Sequence, residues 1–216
     1  MKKKIFFVFS LLSGFIFSQG DDLLLLQYNK GPDPDGFYKK WNFDIHYLTV
    51  FMKVKGKYSS PSLSYGFGTS AQYKFSKTFG IRSGVSYFNI KYKYDLSDNK
   101  SSDKISYLTI PITARVSPSR KLMFETGFIY NHLLGAENSE VQDITNGSFN
   151  YEDGIFKDTF GMVVASQYNP WKRLNVSLQY RFLKKASKPS AVQKNNFAGF
   201  LLGLHFFIFD PMKKPI

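Results

Sequence analysis

No cysteine occurs in the 216 residues. A lipid-anchored lipoprotein, a disulfide-stapled secreted domain and a thiolate metal site are thereby excluded, and the fold must hold by burial and backbone hydrogen bonds. Long apolar runs are missing too. The charge-free stretch from Ile5 to Phe17 is shorter than the about 20 residues that a membrane-spanning helix needs. Acidic residues are few: 16 Asp and Glu stand against 29 Lys and Arg, for a formal net charge of +13. Tryptophan is scarce, with two residues beside 23 phenylalanines and 14 tyrosines, and that aromatic bias favours strands over helices.

What is present begins with MKKKIFFVFSLLSGFIFSQG: three lysines, a charge-free run, then small and polar residues. These are the parts of a secretory signal peptide, and residues 1–20 are assigned to it, with cleavage expected after Ser18 or Gly20. Lys2, Lys3 and Lys4 leave with the signal, and the remaining basic excess stays large. In a cytosolic protein it would suggest nucleic acid. In an exported chain it reads as attraction to the phosphates of membrane lipids and lipopolysaccharide, with no nucleic-acid partner. Residues 21–41, with their Pro-Asp-Pro-Asp-Gly core, are expected to form a periplasmic leader, and residues 210–216 a charged tail.

Between them no helical period is sustained. Apolar and polar residues instead alternate over eight segments: Asn42–Val54, Ser62–Phe75, Phe79–Tyr94, Ile105–Val116, Lys121–Leu133, Phe156–Tyr168, Arg173–Leu183 and Phe197–Phe209. The short connections SKT, SPSR and NPWK alternate with four longer ones, so long and short connections gather at opposite ends.

Charge decides which face looks outward. In RLNVSLQYRF the residues Leu174, Val176, Leu178, Tyr180 and Phe182 make one face, and Asn175, Ser177, Gln179 and Arg181 the other. The same division runs through Phe43–Phe51, Leu63–Phe75 and Leu122–Tyr130, where charge falls only on interleaved positions such as Asp44, Lys74 and Glu125. A soluble barrel would have to bury the aromatics and expose a glycine- and serine-rich surface. A membrane barrel needs this pattern, because a Lys or Arg facing lipid at the midplane costs about 2–4 kcal/mol. About ten residues at about 3.3 Å each, tilted about 40°, cover the apolar band. The chain is therefore read as all-β: an eight-stranded antiparallel up-and-down transmembrane β-barrel over residues 42–209, in the outer membrane, with Trp41 and Trp171 at the inner interface.

The fourth segment adds a more particular signal. SYLTIPITARV, Ser106 to Val116, resembles the Tyr-Leu-x-Ile-Pro signature of the outer membrane protein β-barrel domain common in Bacteroidetes, often called PorT-like. The resemblance implies an eight-stranded outer-membrane barrel. One founding member of that family takes part in protein secretion, a role that no residue here carries over. Pro111 lacks a ladder donor, and a local bulge is expected around it.

Candidate sites follow from the inward positions. Asp44, His46, Lys74, Arg82, Arg115, Glu125, Arg181 and His205 are expected to form an ion network in the lumen. Closing the SPSR turn tightly sets Arg115 opposite Met123 and Thr113 opposite Glu125, with Glu125 diagonal to Arg115. In the last segment, Gly203, Phe206, Ile208 and Phe209 look like the C-terminal signal read by the outer-membrane assembly machinery. The histidines lack the His-x-Ser pairing of outer-membrane lipid A deacylases, and no metal-ligand spacing occurs, so no catalytic residue, metal or cofactor is expected. The third long connection is acidic (Glu137, Glu140, Asp143, Glu152, Asp153, Asp158) and the fourth basic (Lys184, Lys185, Lys188, Lys194), which suits pairing across the mouth, a cation held by the acidic loop, or simple solvation; an extracellular or periplasmic protein partner is left open. The reading that results is a structural or binding barrel, neither porin nor enzyme. The alternatives are an enzyme acting on lipid A or peptides at the rim, or an accessory to protein secretion.

Overall fold

The computed structural model describes residues 39–54, 59–96, 99–119, 121–140, 148–151, 154–185 and 196–209. The signal peptide, the leader through residue 38 and the tail 210–216 lie outside them. Ten strands occur in chain order: β1 (Trp41–Val54), β2 (Ser59–Ser62), β3 (Ser64–Lys74), β4 (Phe79–Leu96), β5 (Asn99–Val116), β6 (Leu122–Glu140), β7 (Ser148–Asn150), β8 (Thr159–Trp171), β9 (Leu174–Lys185) and β10 (Phe197–Phe207). No helix occurs among the described residues.

The ladder closes on itself. β1 pairs with β3, β3 with β4, β4 with β5, β5 with β6, β6 with β8, β8 with β9 and β9 with β10, all antiparallel. β10 returns to β1 with His46 opposite His205, so the sheet has no free edge to satisfy. β2 prolongs β3: Ser62 pairs with Lys91 and Gly66 with Phe88, a slip of one residue between them. β7 adds three residues to the flank of β6. The wall is thus a closed eight-stranded antiparallel barrel.

Strand parity sends the apolar residues outward. Phe43, Ile45, Phe67, Phe124, Phe128, Val176, Leu178 and Leu204 are all exposed on the barrel exterior. The interleaved Asp44, Gln72, Glu125, Ser177 and Arg181 are buried. Trp41 and Trp171 stand exposed at the short-turn end; Trp41 contacts Tyr73 at 4.9 Å between ring centroids, and Tyr73 contacts Phe75 at 5.3 Å.

Three features depart from the sequence reading. First, the wall is uneven: β4, β5 and β6 have 18, 18 and 19 residues, against 11–14 in β1, β3, β8, β9 and β10. The expected connection DLSDNKSSDK is mostly strand, since Leu96 already pairs with Asn99. Second, the register between β5 and β6 is two residues from the expected one: Arg115 faces Glu125 and Thr113 faces Gly127. A shift of two keeps every side chain on its face, so inside and outside survive the change. Third, the bulge is not at Pro111. Pro111 pairs with Ile129, and on the β4 side the paired residues stop at Ser83–Ile112 and resume at Ser86–Thr109 in unchanged register. The missing proline N–H is absorbed by that local gap. The bulge lies between Ser106 and Tyr107 where they face β6, across from Leu133 and Gly135.

Candidate functional site

The lumen is built in two layers. Toward the short-turn end it is polar, and toward the long-loop end it is apolar, filled by Leu48, Met52, Phe88, Ile90, Tyr107, Ile129, Leu183, Phe197 and Leu201. The rings of Phe88 and Tyr107 stack at 6.0 Å, and Tyr107 meets Phe197 edge-on at 6.3 Å.

Each polar side chain arrives from a different strand: Asp44 on β1, Gln72 on β3, Arg82 on β4, Arg115 on β5, Glu125 on β6, Gln167 on β8 and His205 on β10. Arg82 links the two carboxylates. Its Nη2 donates to Asp44 Oδ1 at 2.9 Å and Oδ2 at 3.1 Å, its Nη1 approaches Glu125 Oε2 at 3.4 Å, and its Nε donates to Ser70 Oγ at 2.7 Å. Ser70 in turn donates to Asp44 Oδ2 at 2.5 Å. Arg115 donates through Nε to Glu125 Oε1 at 2.6 Å, again to that oxygen through Nη2, and to the side-chain oxygens of Gln72 and Gln167 at 2.6 and 2.8 Å. Gln167 returns an amide N–H to Glu125 at 2.9 Å. The result is a chain of alternating charges, Arg115–Glu125–Arg82–Asp44, with its remaining lone pairs taken by neutral donors. Buried ions hold together only under that condition.

His46 and His205 meet across the closing seam with ring centroids 5.1 Å apart. His205 Nδ1 lies 3.1 Å from Asp44 Oδ1, and its Nε2 lies 2.8 Å from Ser177 Oγ. His46 makes the parallel set, with Asp44 at 3.2 Å and Ser86 at 2.8 Å. Both have the outline of a Ser-His-Asp relay. His205 Nδ1 lies between Arg82 Nη2 at 2.9 Å, which can only donate, and Asp44 Oδ1, which can only accept. Ser177 and Ser86 are both buried in the lumen, at 1% and 3% exposure. Asp44, His46 and His205 also offer donor atoms within 4.8 Å of one another. The guanidinium of Arg82 already stands between Asp44 and His205 and takes the electrostatic place of a metal cation.

Two of the expected network residues stay apart from the carboxylates. Arg181 bonds Gln179 at 3.0 Å and lies 5.2 Å over the ring of Phe88, at the base of the apolar layer. Its Nη1 has no hydrogen-bond acceptor. Lys74 is half-buried at the short-turn end and makes no ion pair among the described residues. Gln167, absent from the expected network, is central to it. Continuing the alternation of β8 inward from Val163 through Ala165 would have reached it.

In β10 and the two residues that follow it, the four residues of the assembly motif separate by face. Gly203 points inward, where a Cβ would run into Ser177 Oγ and His205 Nε2. Phe206, Ile208 and Phe209 point outward and are about half exposed. At the long-loop rim, Asp158 accepts from Tyr130 Oη at 2.6 Å and from the Leu133 N–H at 2.8 Å, and it approaches His132 Nδ1 at 3.2 Å. Partial burial raises the Asp158 carboxyl, but these partners outweigh it and hold the group below the usual carboxylate range. Glu137, on the exterior of β6, pairs with Lys104 at 3.3 Å. Asp143, Glu152, Asp153, Lys188 and Lys194 lie outside the described residues.

No protein-family profile matches the chain, and no curated protein matches its sequence. Among solved structures it is similar to Ail, the attachment invasion locus protein of Yersinia pestis, with 14% identity over 78% of this chain and 97% of that one, at a TM-score of 0.44. Neisserial surface protein A is similar at 10% identity over 79% and 98%, TM-score 0.43. The outer membrane protein OprG of Pseudomonas aeruginosa is similar at 14% identity over 81% and 96%, TM-score 0.43. Residue roles do not transfer at that distance, and no family model supports the PorT-like resemblance.

Proposed function

We propose that the chain is an outer-membrane barrel with a structural or binding role, neither channel nor enzyme, in contact with lipid and lipopolysaccharide through its exterior. The tall β4–β6 wall and the four longer connections face outside the cell. The observation that carries the reading is the filled interior: a satisfied ion chain in one half, and tightly buried Leu48, Phe88, Tyr107, Phe197 and Leu201 in the other. An eight-stranded barrel is just wide enough for its own side chains, and here both layers use that space. The motif at Ser106–Val116 supports assignment to the PorT-like barrels. The exposed Phe206, Ile208 and Phe209 support recognition by the outer-membrane assembly machinery, and the elevated rim offers a surface for an extracellular protein.

The test is conductance. Purified, refolded protein in planar bilayers is expected to give no stable single-channel steps, and reproducible unitary steps overturn the reading. The hydrogen-bonded His132 and Asp158 at the rim are what favour the rival reading, an enzyme acting on lipid A or peptides. Lipid A of a deletion strain is expected to have an unchanged mass spectrum, as His132 meets no serine or threonine hydroxyl among the described residues.

A further inference from the structure

Beyond the apolar layer, the tall wall encloses a second polar cluster that the ion chain does not use. Asp103 on β5 and Asn138 on β6 face each other directly, both inside the wall, at 0% and 4% exposure. Tyr151, hydrogen-bonded through its N–H to the carbonyl of Ala136, leans over them. Asp103 Oδ1 is saturated: Tyr151 Oη donates to it at 2.7 Å and Asn138 Nδ2 at 2.6 Å. The same Asn138 nitrogen lies 2.7 Å from Ser101 Oγ and 3.1 Å from Tyr151 Oη. Asp103 Oδ1, which can only accept, identifies that atom as the amide nitrogen, so the other amide atom is Oδ1.

Two oxygens are left over. Asp103 Oδ2 and Asn138 Oδ1 are both shut away from solvent and accept no hydrogen bond. No Lys, Arg or His pairs with Asp103 among the described residues. Its chain neighbour Lys104 points to the exterior and pairs with Glu137. A carboxylate withdrawn from water with one bare oxygen and no counter-charge among the described residues is unfavourable, and a cation at that oxygen would offset the cost. A carboxylate oxygen and an amide carbonyl oxygen, with tyrosine and serine hydroxyls beside them, are the ligands a hard cation selects, and soft or imidazole ligands are absent from the cluster.

We propose that Asp103 and Asn138, supported by Tyr151 and Ser101, form a binding site for a hard divalent cation of the calcium type inside the elevated rim of the barrel. One charged ligand and one neutral carbonyl correspond to modest affinity, on the order of 10⁻⁴ to 10⁻³ M. Binding would tie β5 to β6 and, through Tyr151, to the segment that follows β7. The site stands on the geometry of the rim and not on which side of the membrane the rim faces.

Terbium, which replaces calcium and is sensitised by a nearby tyrosine, is the probe. The full chain refolded in detergent is expected to show tyrosine-sensitised terbium emission that calcium displaces. Asp103→Asn is expected to weaken terbium binding by about tenfold or more, and Asn138→Ala by a smaller factor, because the charged ligand dominates affinity. Glu137→Gln, on the exterior of the same strand, is expected to bind as the wild type does. Heat-modifiable migration on unboiled gels confirms that each variant is folded. If Asp103→Asn does not fold, Asn138→Ala and a calcium-dependent rise in the wild-type urea midpoint carry the test. Absence of calcium-displaceable emission from folded wild type, or equal terbium affinity in wild type and every folded variant, overturns the proposal.

Discussion

Arg115 and Glu125 stand directly opposite one another on β5 and β6, at 1% and 5% exposure, with Arg115 Nε donating to Glu125 Oε1 at 2.6 Å. Glu125 is also the carboxylate that reaches Arg82. Removing it leaves Arg115 with only the neutral partners Gln72 and Gln167, and Arg82 with Asp44 as its one carboxylate.

Glu125→Ala is therefore expected to lower stability by up to about 3–5 kcal/mol, the range for stranding one member of a buried pair. Glu137→Ala breaks only the exposed pair with Lys104, which is worth about 0–1 kcal/mol. Urea unfolding of the refolded proteins in lipid checks the difference. Equal midpoints would mean that water already solvates the Arg115–Glu125 chain.

Parity was the legible part of the fold. In Phe43–Phe51, Leu63–Phe75, Leu122–Tyr130 and Leu174–Phe182 one face carries the charge and the other does not, and a two-residue repeat cannot be satisfied with the faces exchanged. Register was not legible in the same way. The turn after Val116 admits alternatives two residues apart that leave every side chain on its face, so the sequence places Arg115 and Glu125 together without saying that they are direct partners. The apolar layer was legible only in part. Alternation already turns Leu48, Phe88 and Ile129 inward, whereas in DKISYLTI both faces carry apolar residues, and Ile105 and Tyr107 show their inward direction only once the strands are closed. The height of the wall was concealed by composition. DLSDNKSSDK has the look of a loop, yet cross-strand pairing from Leu96–Asn99 to Tyr94–Ser101 makes it the tip of a long hairpin.

The two halves of the C-terminal motif are expected to fail differently. Gly203→Ala pushes a methyl group against Ser177 and His205, an overpacking cost of about 1–3 kcal/mol that appears in purified protein as a lower urea midpoint. Phe206→Ala removes an outward side chain and is expected to reduce folded protein in cells more than it reduces refolding yield in detergent. Equal losses in both settings would assign Phe206 to lipid contact alone and remove it from the assembly signal.

The absence of cysteine makes orientation measurable with a clean background. Ser139, exposed near the tip of β6, and Ser119, exposed in a short turn, lie at opposite ends of the barrel. A membrane-impermeant maleimide added to intact cells is expected to label Ser139→Cys and to spare Ser119→Cys until the outer membrane is permeabilised. The reverse pattern would turn the barrel over.

Arg82 and Arg181 are both buried lumenal arginines, and replacing each by methionine should have opposite consequences. Arg82 touches two carboxylates, so Arg82→Met leaves Asp44 facing only the histidines and Ser70, and Glu125 facing only Arg115 and Gln167. A loss of about 3–5 kcal/mol is expected. Arg181 touches no carboxylate. It has Gln179, the face of Phe88 and an unmatched Nη1 at the border of the apolar layer. Burying that cation costs desolvation with no ionic partner to offset it, and methionine fills a similar volume with none of that cost. Arg181→Met is thus expected to leave stability unchanged or to raise it by about 1 kcal/mol or more. Urea midpoints in lipid decide between them. A destabilisation of Arg181→Met as large as that of Arg82→Met would show that Arg181 has an anionic partner in the membrane-embedded protein, and the division of the lumen into a charged layer and an apolar layer would have to be redrawn.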